Sequence, residues 1–306
     1  MNEEPLVSVV IPTYSRPIYL KRCIDSVLKQ TYSNIEIIVV DDNNPDTRER
    51  EETQSVMQEY ADNPKVKYIK HEHNKNGSAA RNTGWKSANG SYISFIDDDD
   101  EMKPNRVKRQ IECLMGLDDS WGVCYTAYSV VKESGTIHTS TENRYGDCYV
   151  DALSRTFYVL GGSNLMLRKQ VVDSVNGFDE SFARNQDIEF LVRILEHNKI
   201  AYINEDLLIV HQEGERRKRS FEEIDGYTQY YLKKFTPRIQ KLDKKDRERV
   251  IAIISLERSR TAFQDRKILK GIRIIIENKV SFHYCMKYLK YVLDRVITHS
   301  SYGFSG

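Results

Sequence analysis

The sequence predicts an α/β fold with a central, mostly parallel sheet, followed by a helical extension at the C-terminus. Two runs, 6–11 and 35–40, consist mainly of β-branched and aliphatic residues, which is typical of strands covered on both faces of a sheet. Apolar residues recur at helical spacing between them. From Phe221 onward the chain is basic and shows no further alternation of strand and helix. We therefore expect one domain over residues 1–215 and a basic helical extension over residues 216–306.

The first strand–helix–strand unit sets the direction of the sheet. We expect its first strand to end at Pro12, because proline lacks the N–H group that a central strand would use. The loop 13–16 follows, and Pro17 suits the first turn of a helix. The second strand ends directly in Asp41 and Asp42, so carboxylates stand at the carboxyl edge of the predicted sheet.

The remaining elements follow from hydrophobic periodicity and turn residues. Residues 140–160 fit neither the helical nor the strand period of apolar residues, and we interpret them as an irregular loop. The expected elements are a surface helix at 47–60, a strand at 65–69, a helix after Gly77, a strand before Asp97, a helix at 105–117, strands at 122–131, 136–139 and 165–168, a helix at 185–195, and a strand at 201–210.

The acidic run Asp97–Asp100 directly follows an apolar run that we expect to be a buried strand. Adjacent carboxylates repel one another and raise each other's pKa values. A hard divalent cation such as Mg²⁺ or Mn²⁺, shared with a phosphate-bearing ligand, removes that cost. A solvated acidic turn is the alternative. Because ligands of open α/β sheets bind at this edge, the position favours a cation site.

Residues 74–84 form a second candidate site, for an anion. Asn76 and Gly77 indicate a turn into a helix whose first N–H groups suit a phosphate. Arg81 on this helix would present its guanidinium to the same anion; the alternative is an arginine exposed on the surface. The basic run 215–219 carries enough positive charge to neutralise a diphosphate.

The charges of the chain are unevenly distributed. Residues 1–213 contain 24 Lys and Arg against 34 Asp and Glu, whereas residues 214–306 contain 22 against 11. A basic region suits nucleic acid, an anionic membrane surface or another protein. Because no aromatic and glycine signature of RNA binding accompanies the charge, we predict no nucleic-acid partner and favour the membrane surface, through residues 221–306, or a protein.

Apolar and basic residues alternate through 267–295. This mixture suits helices docked on the domain, an oligomer seam or an interfacial membrane anchor. The five scattered cysteines are interpreted as reduced thiols. Together with an acidic start that lacks a secretory signal, they predict a cytoplasmic protein, peripheral at the inner face of the membrane if the anchor is used.

Four motifs in series resemble family 2 glycosyltransferases with the GT-A fold. They are Val-Ser-Val-Val-Ile-Pro-Thr-Tyr-Ser-Arg, Ile-Glu-Ile-Ile-Val-Val-Asp-Asp, Asn-Gly-Ser-Ala-Ala-Arg-Asn-Thr-Gly, and Ile-Asp-Asp-Asp-Asp followed by Pro104. The resemblance covers about residues 5–215. It implies a nucleotide-diphospho-sugar donor, usually a UDP-sugar, a divalent metal, and inversion at the anomeric carbon of the sugar.

The resemblance also implies a role for individual residues of the donor site. Asp42 would meet the base, and Arg81 would lie near the diphosphate. Asn76, at the turn into the helix of Arg81, and Arg216 and Arg217 of the basic run are further candidates for donor binding that we take from the residues themselves. The first loop would line the nucleoside pocket with Pro12, Thr13, Tyr14 and Arg16.

The metal site and the catalytic base are implied in the same way. Asp99 matches the metal ligand, with Asp97 or Asp98 towards the ribose, and His211 matches a histidine that completes the metal site. The catalytic base of the family usually lies in a Glu-Asp pair, which here is Gln186-Asp187. Asp187 therefore corresponds to the base, whereas its spacing alone is explained by a charge in the first turn of a helix.

These observations predict an inverting glycosyltransferase that acts on a glycan or lipid-linked acceptor in bacterial surface polysaccharide synthesis. A non-catalytic nucleotide-sugar-binding protein is one alternative, because the usual Glu beside Asp187 is replaced. A sugar-phosphate nucleotidyltransferase is another, although the loop 12–16 lacks the glycines that such an enzyme needs.

Overall fold

The computed structural model describes residues 4–135, 137–212 and 219–298, and its description of side chains ends at residue 294. The described residues form two compact units. The first lies within Met1–Asp147 and Val159–Gly214, and the second within Cys148–Tyr158 and Glu215–Gly306. Residues 148–158, which the sequence placed in the first domain, therefore pack with the C-terminal helices.

The first unit is built on a sheet whose described strands have the order β3-β2-β1-β4-β8-β6-β9-β5, with β7 paired to β6. The neighbours β1, β2, β3 and β4 are parallel to one another, whereas β8 is antiparallel to both β4 and β6. The α/β class is confirmed, with a parallel half and a mixed half. The strands are β1 (Val7–Thr13), β2 (Ile35–Asp41), β3 (Val66–Lys70), β4 (Tyr92–Phe95), β5 (Glu101–Met102), β6 (Trp121–Lys132), β7 (Ile137–Thr139), β8 (Met166–Arg168) and β9 (Lys199–Gln212).

Helices connect these strands and form most of the second unit. The helices of the first unit are α1 (Pro17–Leu28), α2 (Arg48–Gln58), α3 (Gly77–Lys86), α4 (Arg106–Met115), α6 (Lys169–Ser174) and α7 (Gln186–Leu195). Those of the second unit are α5 (Tyr149–Leu153), α8 (Phe221–Lys241), α9 (Lys244–Gln264), α10 (Ile268–Glu277) and α11 (Phe282–Thr298).

The predicted end of the first strand at Pro12 is wrong, because β1 continues to Thr13. Pro12 faces the same side of the strand as Val10, whose carbonyl accepts a hydrogen bond from the N–H of Ile96. The pairing of β1 with β4 ends at Val10, so the missing N–H of Pro12 faces a position without a neighbouring strand. Pro12 therefore costs no hydrogen bond between strands, and β1 continues to Thr13 at the edge of the sheet.

The helix α3 packs tightly on the sheet. A Cβ atom at Gly84 would lie 2.2 Å from Cγ1 of Val10, so only glycine allows this approach of helix to strand. The hydrophobic core includes Ile24 of α1 and Val107 of α4 together with Val9 of β1, all three completely buried.

The second unit is a set of packed helices. A capping box at Ser220 and Glu223 begins α8. Within the unit, the hydroxyl of Tyr231 donates to the carbonyl of Leu153 at 3.0 Å, and Arg249 pairs with Asp151 at 2.6 Å. None of the helices that the structure describes combines the length and apolarity needed to cross a bilayer.

Candidate active site

The loop after β1 and the acidic run after β4 meet at one edge of the sheet, because both strands are parallel and end there. Thr13 Oγ1 donates to Asp98 Oδ2 at 2.6 Å, and Arg16 Nη2 lies 2.8 Å from Asp98 Oδ1. Arg16 also pairs with Asp99. The structure thus brings together the first and last of the four sequence motifs, with Tyr14 exposed beside them.

Burial makes this edge electrostatically unusual. Burial raises the pKa of Asp98 to about 7 despite the lowering effects of Arg16 and Thr13. Burial, together with the charge of Asp97, raises the pKa of Asp100 to about 8. Charged carboxylates are therefore disfavoured at this edge unless a cation compensates them.

Three of the four aspartates fit a divalent cation. One carboxylate oxygen from each of Asp97, Asp99 and Asp100 lies within 4.8 Å of the others. His211 is adjacent, since its main-chain N–H bonds to the Asp100 carboxylate, and its buried Nε2 lies 3.5 Å from Oε2 of Glu101. Carboxylate oxygens with one imidazole suit Mn²⁺, and carboxylates with water suit Mg²⁺.

Asp98 has a different place from the other three aspartates. Its side chain is fully buried and is held by Thr13 and Arg16, so it does not join the cluster that fits a cation. Asp100 belongs to the cation-fitting cluster, although we did not predict it as a metal ligand from the sequence. Because the four consecutive residues are all aspartates, the sequence does not show which of them bind the cation. Only the path of the backbone distinguishes their positions.

Arg81 is buried at this edge, so the alternative of an exposed surface arginine is wrong. Its guanidinium pairs with Asp97 and lies 5.5 Å from the centre of the Phe178 ring. It also donates to the carbonyl of Gly77 at 3.2 Å. The side chain is only 7% exposed, and these contacts fix its direction before any ligand binds.

Asn76 caps α3 instead of leaving its first amides free. Its side-chain oxygen accepts from the N–H groups of Ser78 and Ala79, and its Nδ2 donates to the carbonyl of Glu180. The backbone at Asn76 has φ of 96° and ψ of 164°, a conformation that residues other than glycine rarely adopt. These bonds use the amides that the sequence suggested for a phosphate, and the assignment of Asn76 to the donor site stays a prediction.

Asp42 is buried and accepts hydrogen bonds on both oxygens. Its Oδ1 lies 2.7 Å from His71 Nδ1 and accepts from the N–H of Lys75, and its Oδ2 accepts from Asn74 and from the N–H of Asn76. Asp42 therefore holds the loop that leads into α3. Its predicted contact with a base is not tested by this geometry.

Asp187 lies beside the segment Gly161–Gly162, which also approaches Asp97 of the acidic run. A Cβ atom at Gly161 would lie 3.2 Å from the Cβ of Asp187. Burial raises the pKa of Asp187, and the charge of Arg81 opposes the rise. Part of the residue reaches solvent. A raised pKa brings a carboxylate closer to the value that suits a general base near neutral pH.

Gln186 contacts Arg81. With its amide oxygen turned towards Arg81, Gln186 accepts from Nη1 at 3.1 Å and donates to the carbonyl of Phe182 at 3.3 Å. The replacement of the usual Glu thus alters the charge beside Arg81 and leaves the Asp187 carboxylate in place.

The segment Gly161–Ser163 lies next to both Asp187 and the acidic run, and the sequence analysis missed its role. A Cβ atom at Gly162 would lie 3.2 Å from Asp97 Oδ2 and 3.3 Å from Arg81 Nη2. Ser163 Oγ accepts from the N–H of Asp97 at 3.0 Å and bonds to the Asp100 carboxylate. The Gly-Gly-Ser sequence was the available signal, and we interpreted it only as a turn.

Beneath this segment, Arg106 is completely buried and donates to the carbonyl of Ser163 at 2.5 Å. Its positive charge faces Asp100, and burial lowers its own pKa to about 10. Arg106 therefore holds Ser163 in position and places a positive charge near Asp100. The predicted residues Arg216 and Arg217 lie outside the described residues.

A family model, Glycosyl transferase family 2, matches residues 8–175. The chain belongs to this family. A glycosyltransferase of Rickettsia bellii (strain RML369-C), itself uncharacterised, is 31% identical over 243 residues, which make up 76% of this chain and 34% of that protein. The match thus spans about a third of that relative's length.

Another relative has a more specific name. It is WfgD of Escherichia coli, a UDP-Glc:alpha-D-GlcNAc-diphosphoundecaprenol beta-1,3-glucosyltransferase. WfgD is 28% identical over 213 residues, covering 66% of this chain and 74% of WfgD.

Solved structures share the fold. TarS residues 1–349 from S. aureus, in complex with UDP-GlcNAc, superpose with a TM-score of 0.64 at 18% identity, covering 85% of this chain and 73% of that one. The mannosyltransferase PcManGT from Pyrobaculum calidifontis, with GDP-Man and Mn²⁺, gives a TM-score of 0.59 at 15% identity, covering 96% and 81%. The GT-A type of fold is confirmed.

Proposed function

We propose that the first unit transfers a sugar from a UDP-sugar to an acceptor hydroxyl, with inversion at the anomeric carbon. One observation carries the proposal: Arg81, Asp187 and Asp97, which belongs to the cation-fitting cluster, all lie beside the single segment Gly161–Gly162. Groups suited to a diphosphate and a group suited to remove a proton thus lie next to the same short segment. The names of WfgD and of the TarS complex support a UDP-sugar as donor.

Asp97, Asp99 and Asp100, with His211, would hold a divalent cation, which when bound supplies positive charge to the donor diphosphate. Arg81 adds a fixed positive charge on the same side. Its contacts with Gly77 and Phe178 orient it in advance, so little reorganisation is needed as negative charge develops on the leaving group.

Asp187 would act on the acceptor. Its carboxylate removes the hydroxyl proton while the acceptor oxygen forms a bond to the anomeric carbon. The bond between that carbon and the diphosphate oxygen breaks, and its electron pair leaves with the nucleoside diphosphate. Asp187 retains the proton, so the charges balance. Attack from the face opposite the leaving group inverts the configuration.

The acceptor and the cellular setting extend the same proposal. The lipid diphosphate in the name of WfgD supports a lipid-linked glycan acceptor and a role in bacterial surface polysaccharide synthesis. The cysteines that the structure describes form no disulfide bond, which fits the cytoplasmic side of the membrane, where disulfides are rare. The family membership does not favour the nucleotidyltransferase alternative.

A donor panel tests this function. UDP- and GDP-sugars are added with Mn²⁺, and the melting temperature and the release of free nucleotide are measured. We expect a UDP-sugar to raise the melting temperature, and an acceptor to release UDP. A donor that raises the melting temperature but is never consumed, over a panel of lipid-linked acceptors, would indicate the non-catalytic alternative.

A further inference from the structure

The helices α10 and α11 expose many large apolar side chains. Leu269 is 84% exposed and Phe282 is 78% exposed. Soluble proteins scatter such residues singly over their surfaces, whereas a concentration on neighbouring elements marks an interaction site. The exposed apolar residues of these two helices are Ile268, Leu269, Ile272, Ile276, Phe282, Met286, Leu289 and Leu293.

On α11 these residues form a stripe that is separate from the packed face. At about 100° per residue, the exposed residues of α11 fall within about 60° of one another around the helix. Tyr288 and Tyr291, on another side, are buried and pack against Ile253 and Leu256 of α9. Among the side chains that the structure describes, those of the stripe therefore take no part in this packing.

The same division occurs on α10. Gly271 and Ile274 are buried, and Ile275 packs against the cluster that contains Ile253. Leu269 and Ile272 lie on the side that is not packed and are exposed. Together we call the exposed apolar residues of the two helices the α10–α11 stripes.

Basic residues accompany the stripes. Residues 267–294 contain six Lys and Arg against two Asp and Glu. Lys279, Lys287 and Lys290 are exposed, and Lys290 follows Leu289 directly on the same helix. Apolar residues beside lysines are typical of helices that lie in the interface of an anionic membrane.

We propose that the α10–α11 stripes bind the surface of an anionic phospholipid bilayer, with their apolar side chains at the headgroup boundary. The charge decides between this partner and a second copy of the chain. In a two-fold dimer the same surface would meet itself, and the lysines of the two copies would repel one another. Anionic headgroups complement those lysines. This inference does not depend on the proposed enzymatic function.

Vesicle co-sedimentation of the full chain tests the proposal. One set of vesicles contains phosphatidylcholine alone, and the other contains equal parts of phosphatidylcholine and phosphatidylglycerol. We expect binding to the anionic vesicles at low salt and weaker binding at high salt, because salt screens the lysines. Failure to bind anionic vesicles at low salt, or equal binding to both sets, would overturn the proposal.

Variants test whether the α10–α11 stripes are the part of the chain that binds the vesicles. The double variant Leu269→Ser and Phe282→Ser should lower the partition coefficient at least about tenfold, since two large apolar side chains no longer enter the interface. The matched control is Ile137→Ser on β7, which removes a side chain that is 63% exposed elsewhere in the chain. It should bind as the wild type does. Lys287→Gln with Lys290→Gln should remove much of the salt dependence.

Two further measurements separate this partner from the others. Circular dichroism and the melting temperature show whether the serine variant folds; since the replaced side chains are exposed, we expect both unchanged. Sedimentation velocity gives the oligomeric state. If the wild type is a dimer that the serine variant dissociates, or if the folded serine variant binds vesicles as the wild type does, the bilayer is not the partner.

Discussion

The two halves of the sheet in the first unit build their parts of the site differently. In the parallel half, β1 and β4 end at one edge, so Thr13 and the aspartates after β4 gather by topology alone. In the mixed half, β8 runs the other way, and its contributions come from the segment Gly161–Ser163 and the start of α7. Aligned strand ends place the aspartates of the cation-fitting cluster, and the first turn of α7 supplies Asp187, the group that would meet the acceptor.

This difference predicts that substitutions in the two halves affect different steps, namely binding in one half and turnover in the other. Substitutions in the parallel half should weaken binding of the cation and the donor. Substitutions of Asp187 should lower turnover and leave donor binding intact. Residues of the mixed half that touch Arg81 or Asp97 should behave like those of the parallel half. The predictions below test that separation of binding and turnover from the largest expected effect to the smallest.

Asp187→Asn should lower kcat by about 10³-fold, because a general base contributes roughly 10² to 10⁴-fold. Donor affinity, measured by calorimetry with Mn²⁺, should change little. Asp173→Asn on the exposed surface of α6 serves as the control and should keep full activity. Substantial residual turnover of the Asp187 variant would show that Asp187 is not the general base. It would also contradict the separation of donor binding and turnover between the two halves of the sheet.

The pH profile of kcat/KM for the acceptor, at saturating donor and Mn²⁺, should show an acid limb. The proton is accepted only by ionised Asp187, so activity is present above its pKa and falls about tenfold per pH unit below it. Because burial raises this pKa, the limb should lie above the value of about 4 for an ordinary aspartate. The same limb in the residual activity of Asp187→Asn would assign it to another group.

Asp99→Asn should lower the affinity for Mn²⁺ by at least about tenfold, since one charged ligand of the cluster becomes neutral. Electron paramagnetic resonance of free Mn²⁺ measures this without turnover. Asp46→Asn, in the loop before α2, is a control for the loss of one negative charge from an exposed acidic residue. Unchanged Mn²⁺ affinity in Asp99→Asn would place the cation elsewhere.

Gly162→Ala should weaken donor binding several-fold, because the new Cβ atom would press on both Asp97 and Arg81. Donor affinity from calorimetry measures the effect. Gly226→Ala is the control, since a Cβ atom there meets no atom within 4 Å and alanine favours the helix. An effect on kcat alone would mean that this segment serves only the acceptor.

Gln186→Glu should raise the KM for the donor up to about fivefold, because a carboxylate beside Arg81 competes with the diphosphate for its charge. Gln186→Met keeps the length of the side chain without charge, and it separates the effect of the charge from that of the lost hydrogen bond. Equal donor affinity in the Glu and wild-type proteins would show that Arg81 does not meet the donor.

The parallel half could be predicted from the sequence because its signals are local. β-Branched runs identified β1 and β2, and the acids that follow β4 stood at the expected edge. The end of β1 was missed, since the cost of Pro12 depends on where β4 stops, and the sequence does not show that.

The mixed half could be predicted only in part. The bounds of α7 and β9 were close to those expected, but the approach of Gly162 to Asp97 depends on the tertiary path of the chain. The same holds for Arg106, a charged residue on a helix whose complete burial under Ser163 no periodicity reveals. Asp100 was missed because its neighbours are identical in type.

The central claim is that the carboxylates at the sheet edge bind a cation, and through it the diphosphate of a donor. Phosphorus relaxation of UDP in the presence of Mn²⁺ tests this directly, because the paramagnetic ion broadens phosphorus signals only at close range. We predict strong broadening of both phosphorus signals with the wild type, and its loss with Asp99→Asn. Broadening that is equal in the two proteins would contradict the claim.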